Sequence, residues 1–356
     1  MRVGILTGGG DCPGLNAVIR AVTKSLVRQC GAEVIGIEQG FLGLIERRVR
    51  PLDLRAVAGI VATGGTILGT HNRANPFGHF GAGGADVSDT VVAYVHELGL
   101  DAIVVIGGDG SMAISHRLSL KGVPIVGCPK TIDNDLEHTD RSFGFDTAVA
   151  IVADALERLQ TTGQSHGRVM ICETMGRYAG WIALAAGVAG GADIVLIPEL
   201  PYELDEVLRV CREREARQRF TVIAIAEGAM PRGGRMTVQQ TIADSPDPIR
   251  LGGVGNALRQ ALQPHLDCEV RTTILGHVQR GGPPTAFDRV LATQYGHAAA
   301  RLVGEGRFNR MVVLRGAEID SVPLAEVAGR NRCVPADHPL LRAARDTGIG
   351  LGVPSG

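Results

Sequence analysis

Short apolar runs rich in β-branched residues alternate along the chain with stretches of helical spacing. Most of the runs show no polar alternation, which is typical of strands that are covered on both faces. These runs predict strands at Arg2–Leu6, Glu33–Ile37, Ala102–Ile106, Pro124–Gly127, Arg168–Cys172, Asp193–Ile197, Thr221–Ile225 and Arg310–Leu314. The helical spacing predicts helices at Asn16–Val27, Thr90–Leu98, Thr147–Leu159, Leu204–Arg217, Gly255–Leu262 and Asp288–Leu302. The alternation predicts a doubly wound α/β protein with mostly parallel sheets.

Length and composition favour a chain that folds throughout. With roughly 100–200 residues per domain, 356 residues suffice for two domains, each with its own core. Hydrophobic residues make up 45% of the chain and charged residues 21%, whereas a disordered chain has fewer apolar and more charged residues. We expect the glycine-rich tail, residues 348–356, to be frayed.

Charge and cysteine content exclude several classes of protein. Lys and Arg total 36 against 37 for Asp and Glu, so the net charge of −1 gives no overall field for nucleic acid or an anionic membrane. The seven cysteines are scattered and never in C-x-x-C spacing, which favours reduced thiols and argues against a zinc site. The N-terminus lacks signal-peptide features, and no apolar stretch reaches the ~18 residues of a membrane span. We expect a cytoplasmic protein that binds neither nucleic acid nor membrane.

Many of the 49 glycines lie where predicted strands end. Thr7–Gly14, Gly107–Ser111 and Gly127–Asp135 each follow a predicted strand. In doubly wound sheets, ligands bind beyond the carboxyl ends of the strands. A turn from strand to helix also offers free backbone N–H groups and the positive end of a helix dipole to a phosphate. The three loops therefore predict a phosphate site at one edge of a sheet.

The first loop fits neither common nucleotide-binding motif. The pattern G-x-G-x-x-G fails at Pro13. The P-loop pattern needs a lysine after a glycine, and none of Lys24, Lys121 and Lys130 follows one. Both common nucleotide folds are disfavoured by their own signatures.

The second and third loops carry the groups that phosphoryl transfer needs. Asp109 is framed by glycines, and Asp133 and Asp135 lie in the next loop with Lys130 and Thr131. Carboxylates can hold Mg²⁺ or take a proton from an attacking hydroxyl, and a lysine or backbone donors can contact the transferred group. Taken alone, each aspartate is as readily a solvated loop residue, so the prediction depends on their combination.

Several motifs in a common order resemble those of the 6-phosphofructokinases. The resemblance runs from Val3 to about Arg315 and covers Thr7–Gly14, Gly64–Gly69, Gly107–Ser111, Pro129–Asp135, Met175–Arg177, Ala226–Gly228 and Leu275–Gly282. It implies two Rossmann-like domains with the active site in the cleft between them. The implied phosphoryl-donor domain comprises residues 1–139 and 252–303, and the sugar-phosphate domain comprises residues 140–251 and 304–338. Residues 339–356 form a C-terminal tail.

The resemblance implies catalytic and metal-binding roles. Asp133 is the general base for the 1-hydroxyl of D-fructose 6-phosphate, and Thr131, Lys130 and Arg177 complete the catalytic group. Asp109 and Asp135 hold Mg²⁺. Because Asp133 lies beside Lys130 and a Mg²⁺ site, we expect its carboxyl to be ionised at neutral pH.

The resemblance also implies the residues that contact the two substrates. The donor, ATP, contacts Gly10, Arg73, Gly107, Gly108, Asp109, Gly110 and Ser111. The sugar phosphate contacts Thr131, Asp133, Arg168, Met175, Gly176, Arg177, Glu227, Arg271, His277 and Arg280. Several arginines suit this site, because a guanidinium pairs with two phosphate oxygens at once. In the family, Arg168 and Arg271 reach a neighbouring subunit's active site, which implies a homotetramer or homodimer.

Two positions point to different phosphoryl donors. Family members that use ATP have glycine at position 110, whereas many that use pyrophosphate have an aspartate there in the space of the α-phosphate. Lys130 is typical of pyrophosphate users. Gly110 carries more weight, because donor choice depends on what repels the competitor, and a lysine repels neither donor.

The sequence thus predicts an ATP-dependent 6-phosphofructokinase of glycolysis. A pyrophosphate-dependent fructose 6-phosphate 1-phosphotransferase is the alternative. A non-catalytic regulatory subunit that binds sugar phosphate is a remote one, because a binding protein has no need of the base Asp133. An NAD or lipid kinase is disfavoured by the arginine-rich acceptor motifs.

Overall fold

The structure is a computed structural model that describes residues 1–217, 219–241 and 249–354. The strands are β1 (Arg2–Thr7), β2 (Glu33–Ile37), β3 (Val49–Pro51), β4 (Ala102–Gly107), β5 (Ile125–Pro129), β6 (Val169–Thr174), β7 (Ile194–Leu196), β8 (Thr221–Ala226), β9 (Val238–Thr241), β10 (Ile249–Leu251), β11 (Val270–Ile274), β12 (Arg310–Arg315) and β13 (Glu318–Pro323). The α-helices are α1 (Leu15–Cys30), α2 (Phe41–Ile45), α3 (Ser88–Glu97), α4 (Asp109–Leu120), α5 (Phe145–His166), α6 (Trp181–Ala189), α7 (Leu204–Glu215), α8 (Val254–Leu262), α9 (Ala286–Gly304), α10 (Leu324–Val327) and α11 (Pro339–Asp346). Short 3-10 helices lie at Ile60–Ala62, Phe80–Ala82, Gln263–His265 and Gly276–Arg280.

The first sheet has the strand order β13-β12-β5-β4-β1-β2-β3. Its inner strands are parallel, and the edge strands β13 and β3 pair antiparallel. In β4, Val104 and Ile106 belong to the core that contains α1 and α9, whereas Ile103 and Val105 belong to the core that contains α3 and α4. Helices therefore cover both faces, which explains why these strands have unbroken apolar sequences.

The second sheet has four parallel strands in the order β11-β6-β8-β7. Cys172 and Ala224 pack in the core with α5 and α6, and Ile171 and Ile223 pack in the core with α7 and α8. β9 and β10 form a separate antiparallel pair. The predicted α/β fold with mostly parallel sheets is confirmed.

Residues 252–303 and 304–338 join sheets other than those that the predicted domains imply. β11, within residues 252–303, pairs with β6 in the second sheet. β12 and β13, within residues 304–338, extend the first sheet beyond β5. These three strands thus lie in the opposite sheets from those that the predicted domains imply, because strand partners distant in sequence leave no local pattern. The domain boundaries themselves stay a prediction.

The C-terminal tail is packed as far as the structure describes it. Gly350 N donates to Asp193 O at 2.9 Å, and Val195 N donates to Gly350 O at 2.9 Å. Leu351 is buried. The expectation of a frayed tail is wrong for residues 348–354, because edge strand β7 offers unpaired backbone groups that this segment satisfies. Residues 355–356 lie outside the described part.

Two further features are the state of the cysteines and the apolar length of the helices. All seven cysteines are free, and Cys12, Cys128, Cys172 and Cys211 are buried. Among the described helices, none is long and apolar enough to cross a membrane.

Candidate active site

The loops after β1, β4 and β5 lie side by side, because these strands are neighbours in the first sheet. Gly8 N donates to Ile106 O at 2.9 Å, and Lys130 N donates to Gly107 O at 2.9 Å. Backbone hydrogen bonds therefore link each loop to the next. The structure brings the three predicted glycine and aspartate loops together at one edge.

A side chain would meet close neighbours at two glycines of the first loop, Gly8 and Gly14. At Gly110, in the predicted second loop, a side chain would enter open space. A Cβ on Gly8 would lie 2.6 Å from the Oγ of Ser111. Gly14 precedes α1 with φ +107°, and a Cβ there would lie 2.7 Å from the Phe143 ring. By contrast, a Cβ on Gly110 would meet no heavy atom within 4 Å.

The predicted loop Gly107–Ser111 is shorter than expected. β4 ends at Gly107 and α4 begins at Asp109, so Gly108 alone connects them. Asp109 and Gly110 are exposed in the first turn of α4. The free N–H groups and positive dipole end of α4 therefore lie beside the first loop, as a phosphate site requires.

Lys130 is almost completely buried beneath the first loop. Its Nζ donates to the carbonyl oxygen of Gly10, and a Cβ on Gly9 would lie 3.4 Å from the same nitrogen. Burial lowers the pKa of Lys130, while Cys12 and Asp109 oppose this shift. The ammonium group is therefore held against the glycine-rich loop.

The loop that carries the predicted base is fixed by its own hydrogen bonds. Thr131 Oγ1 accepts from Asp133 N at 3.1 Å. Asn134 has φ +54°, and its Oδ1 accepts from Ser142 N at 2.9 Å. Ser142 Oγ donates to Thr131 O at 2.7 Å. These bonds hold a strained residue between Asp133 and Asp135.

Carboxylates at this edge raise one another's pKa. Burial and the charge of Asp109 raise the pKa of Asp133, and Arg280 and Lys130 oppose this. Burial, Asp133 and Asp109 raise the pKa of Asp135 to about 7. The direction for Asp133 is opposite to the expected effect of Lys130, because burial of the carboxyl dominates. Its Oδ1 is buried and has no hydrogen-bond partner among the described residues.

The second sheet contributes a second set of loops. They lie after β6, β8 and β11, which are adjacent strands. Gly228 N donates to Gly176 O at 3.2 Å, and a Cβ on Gly228 would overlap the carbonyl of Arg177. The predicted residues found in these loops are Met175, Gly176, Arg177, Glu227, His277 and Arg280. Of these, His277 is exposed.

Arg280 connects the loops of the two sheets. Its NH1 donates to Asp11 O at 3.0 Å, and a Cβ on Gly10 would lie 3.1 Å from the same nitrogen. Burial and the charge of Asp133 raise the pKa of Glu227 to about 7, and Arg280 opposes this. Carboxylates of both sheets and Arg280 therefore lie within electrostatic reach of one another.

Arg73 comes from a segment that packs on the first loop. Thr7 Oγ1 donates to Gly69 O at 2.7 Å, and Thr70 Oγ1 donates to Thr7 O at 3.1 Å. The Arg73 guanidinium lies 4.9 Å from the centre of the Phe80 ring. These contacts hold the segment of Arg73 beside the loop after β1.

The structure separates Arg168 and Arg271 from the other predicted residues. Arg168 directly precedes β6, and Arg271 is the second residue of β11. Both form ion pairs with Glu269, Arg168 through its Nε at 2.7 Å. Because β6 and β11 run from this end toward the loops of Arg177 and Arg280, about 20 Å of strand separates Arg168 from its loop, and about 13 Å separates Arg271 from its loop.

Sequence reasoning missed Arg332, which contacts the loop of the predicted base. Its NH2 donates to Asn134 O and to Asp140 O, both at 3.0 Å. It lies beyond every recognised motif, and a lone arginine after α10 carries no local signal of its role.

The fold and the site together define an α/β protein of the phosphoryl-transfer class, with carboxylates, a buried lysine and arginines at the carboxyl ends of parallel strands. The family model described as Phosphofructokinase matches residues 2–303. With this match and the relatives below, the chain belongs to the phosphofructokinase family.

Two similar relatives carry different phosphoryl donors in their names. The chain is 47% identical to ATP-dependent 6-phosphofructokinase 2 of Clostridium perfringens, over 98% of each chain. It is 48% identical to pyrophosphate–fructose 6-phosphate 1-phosphotransferase of Streptomyces coelicolor, over 94% of this chain and 96% of that one.

Two solved structures resemble the chain. Pichia pastoris phosphofructokinase in the T-state has a TM-score of 0.79 and 30% identity, over 98% of this chain and 36% of that one. Pyrophosphate-dependent phosphofructokinase from Marinobacter aquaeolei has a TM-score of 0.81 and 22% identity, over 98% and 88% of the chains, and this likeness concerns the fold alone.

Proposed function

We propose that the protein is an ATP-dependent 6-phosphofructokinase. The terminal phosphoryl group of ATP passes to the 1-hydroxyl of D-fructose 6-phosphate, which gives fructose 1,6-bisphosphate and ADP. The observation that carries the proposal is the cleft in which Asp133, with a buried oxygen unbonded by the described residues, lies within electrostatic reach of Lys130, Glu227 and Arg280. The names of similar relatives support the reaction.

Asp133 is the proposed general base. Its carboxylate takes the proton of the 1-hydroxyl as the oxygen attacks the phosphorus, and the bond from phosphorus to the leaving oxygen of ADP breaks. The Thr131 hydroxyl fixes the Asp133 backbone. Lys130 and Arg177 supply positive charge for the transferring phosphoryl group, which spreads negative charge over its oxygens.

Asp109 and Asp135 are the proposed Mg²⁺ ligands. Their oxygen atoms are of the type that Mg²⁺ prefers, and they lie close enough for Asp109 to raise the pKa of Asp135. In the described residues no group of three or more His, Cys, Asp or Glu could hold a metal. Mg²⁺ commonly uses one or two carboxylates and completes its shell with phosphates and water. Bound there, Mg²⁺ would neutralise charge on the donor phosphates.

Gly110 supports ATP as the donor. The open space around its Cα leaves room for the nucleotide part of ATP at the start of α4. Lys130 favours the second candidate, a pyrophosphate-dependent phosphotransferase, because a buried ammonium group at the glycine loop suits a compact polyphosphate.

The first test measures fructose 1,6-bisphosphate formation by the purified protein with Mg²⁺ and fructose 6-phosphate. ATP and pyrophosphate are supplied separately. We expect turnover with ATP. Turnover with pyrophosphate alone would establish the second candidate, and fructose 6-phosphate binding without turnover on either donor would favour a regulatory subunit.

Asp133→Asn tests the base in the same assay. We expect kcat to fall at least ~100-fold, because general base catalysis is lost while the shape of the side chain is kept. The Kd for fructose 6-phosphate should change little in calorimetry. Asp154→Asn, on the exposed face of α5, is the control and should retain full turnover.

We also propose a cytoplasmic homo-oligomer, a tetramer or a dimer, whose subunits share active sites. The distance of Arg168 and Arg271 from the cleft of their own chain supports sharing, since both carry the charge that a sugar phosphate needs. Exposed apolar side chains at the end of β11, in the 3-10 helix after it and at the start of α9 support a subunit contact, namely Ile274, Val278, Phe287 and Val290. The free cysteines support a reducing compartment.

A further inference from the structure

Residues 331–338, here called the C-terminal strap, cross from the catalytic loop to the second sheet. Asn331 pairs with Leu136 in an isolated antiparallel bridge. Val334 N donates to Glu199 Oε1 at 2.8 Å, and the same carboxylate accepts from Gly180 N directly before α6. The strap lies beyond residue 303, where the match to the family model ends.

Arg332 is the strap residue that contacts the catalytic loop most closely. Its backbone N donates to Asp135 O at 2.7 Å. Its NH2 donates to Asn134 O and Asp140 O, both at 3.0 Å. One side chain thus joins the two arms of the loop on the C-terminal side of Asp133.

The other side of Arg332 rests on helix α6. Its guanidinium lies 4.6 Å from the centre of the Trp181 ring. Trp181 Nε1 donates to Arg332 O at 2.9 Å, and the His338 ring packs edge-on against the indole. Because Trp181 follows the loop of Arg177 by four residues, Arg332 is held between loops from both sheets.

We propose that Arg332 is a positioning residue for phosphoryl transfer. Asn134 has φ +54°, a left-handed conformation that is unfavourable for most residues other than glycine and that persists where surrounding contacts impose it. Together with the Ser142 N–H that bonds the Asn134 side chain, Arg332 imposes it by bonding the carbonyl of Asn134 itself. The orientation of Asp133 and Asp135, on either side of Asn134, therefore depends on the guanidinium of Arg332.

The guanidinium is needed for its shape as well as its charge. It is planar, so it stacks on the indole while one nitrogen bonds two carbonyls. A lysine at this position offers charge without a planar group that can stack or a fixed pair of donors. Arg332→Lys should therefore lower turnover, and Arg332→Met should lower it further.

The inference rests on the proposed function, and the experiment separates the two. Calorimetry with fructose 6-phosphate gives the Kd and the number of binding sites per chain, and steady-state kinetics gives turnover per binding site. For Arg332→Met we expect turnover per site to fall about 10- to 100-fold, because misplacement of a reacting group by about 1 Å can cost ~100-fold. The site number should be unchanged and the Kd should change less than about threefold. Arg330→Met, at the exposed position directly before the strap, is the control. Its turnover per site should stay within twofold of that of the original chain, because exposed surface changes typically have small effects.

Three results would overturn the inference. They are normal turnover per site in folded Arg332→Met, a lower site number with normal turnover per remaining site, and an equal loss in Arg330→Met. If Arg332→Met does not fold, Arg332→Lys decides, with a fall of about 3- to 10-fold expected and full turnover contradicting the inference. Absence of turnover in the unaltered protein would instead contradict the proposed function.

Discussion

Among single residues, Glu227 shows that the cleft disfavours a negative charge. The pKa of this carboxyl is raised from 4.5 to about 7, first by burial and then by Asp133. The folded state therefore holds the proton more tightly than the unfolded state does. Glu227 favours folding most below pH 4.5, and this contribution is lost as the pH rises through 7.

Glu227→Gln should therefore stabilise the protein at alkaline pH. We expect its free energy of unfolding to exceed that of the original chain by about 2–3 kcal/mol at pH 8 and by less than about 1 kcal/mol at pH 5. Denaturant titrations at the two pH values measure the difference. Glu157→Gln, at an exposed position of α5, should show no such pH dependence, and equal stability of Glu227→Gln and the original chain at pH 8 would refute the argument.

A negative charge at position 110 should weaken the binding of ATP. Gly110→Asp adds a carboxylate in open space, so the fold should tolerate it while the charge repels the phosphates of ATP. We expect KM for ATP to rise about 10-fold or more, which corresponds to about 1.4 kcal/mol of lost binding. Gly110→Asn separates charge from size and should raise KM much less. Equal effects of the two variants would show that size, not charge, matters.

Some features of individual site residues can be predicted from the sequence, and others cannot. Asp109, Asp133 and Lys130 follow neighbouring strands, so their meeting at one edge follows from the pattern of strands and loops. The direction of the Asp133 pKa does not, because burial of its carboxyl depends on segments distant in sequence. Arg332 comes from about 200 residues away and has no motif.

At the element scale, helices α5 and α9 begin against each other. Asp288, in the first turn of α9, is fully buried, and its Oδ2 accepts from Thr147 N at 2.8 Å in the first turn of α5. Asp288 N in turn donates to Thr285 Oγ1 at 3.2 Å. The start of each helix thus depends on the other.

Asp288→Ala should therefore destabilise the fold by about 2–3 kcal/mol, because it leaves a buried N–H of α5 without its acceptor. Chemical denaturation measures the loss. Gln294→Ala, exposed on α9, should change the free energy of unfolding by less than about 0.5 kcal/mol. A similar small change for Asp288→Ala would show that water replaces the lost acceptor.

Strands with apolar sequences are predictable, and strands with polar sequences are not. β2 matches its predicted range, and β1 and β8 differ from theirs by one residue. β11 and β13 were missed, because an edge strand keeps polar residues on exposed positions and loses the apolar run. α5 extends seven residues beyond its predicted end at Leu159, because Thr161 to His166 carry little apolar signal.

At the scale of the whole molecule, a shared active site predicts complementation between inactive subunits. Asp133→Asn lacks the base, and Arg271→Ala lacks the arginine that we assign to the neighbour's site. When the two variants are unfolded together and refolded as mixed oligomers, sites that combine an intact base with an intact arginine should recover activity, up to about a quarter of normal by random pairing. Activity no higher than that of the separate variants would contradict sharing.

The exposed apolar residues of β11 and α9 provide the matching control. Val290→Asp places a charge at one of these positions and should lower the mass of the assembly in light scattering. The mixed oligomers should then lose their recovered activity. Complementation that survives dissociation would locate the subunit contact elsewhere.

The return of β12 to the first sheet has a consequence for how the chain is made. On the ribosome, β5 emerges about 180 residues before β12, which covers its open edge. The second sheet emerges in between, so the nascent chain carries an unpaired strand edge through much of its translation. Such an edge invites pairing with other chains, and the protein's yield in cells should depend on chaperones that shield it until residue 323 has left the exit tunnel.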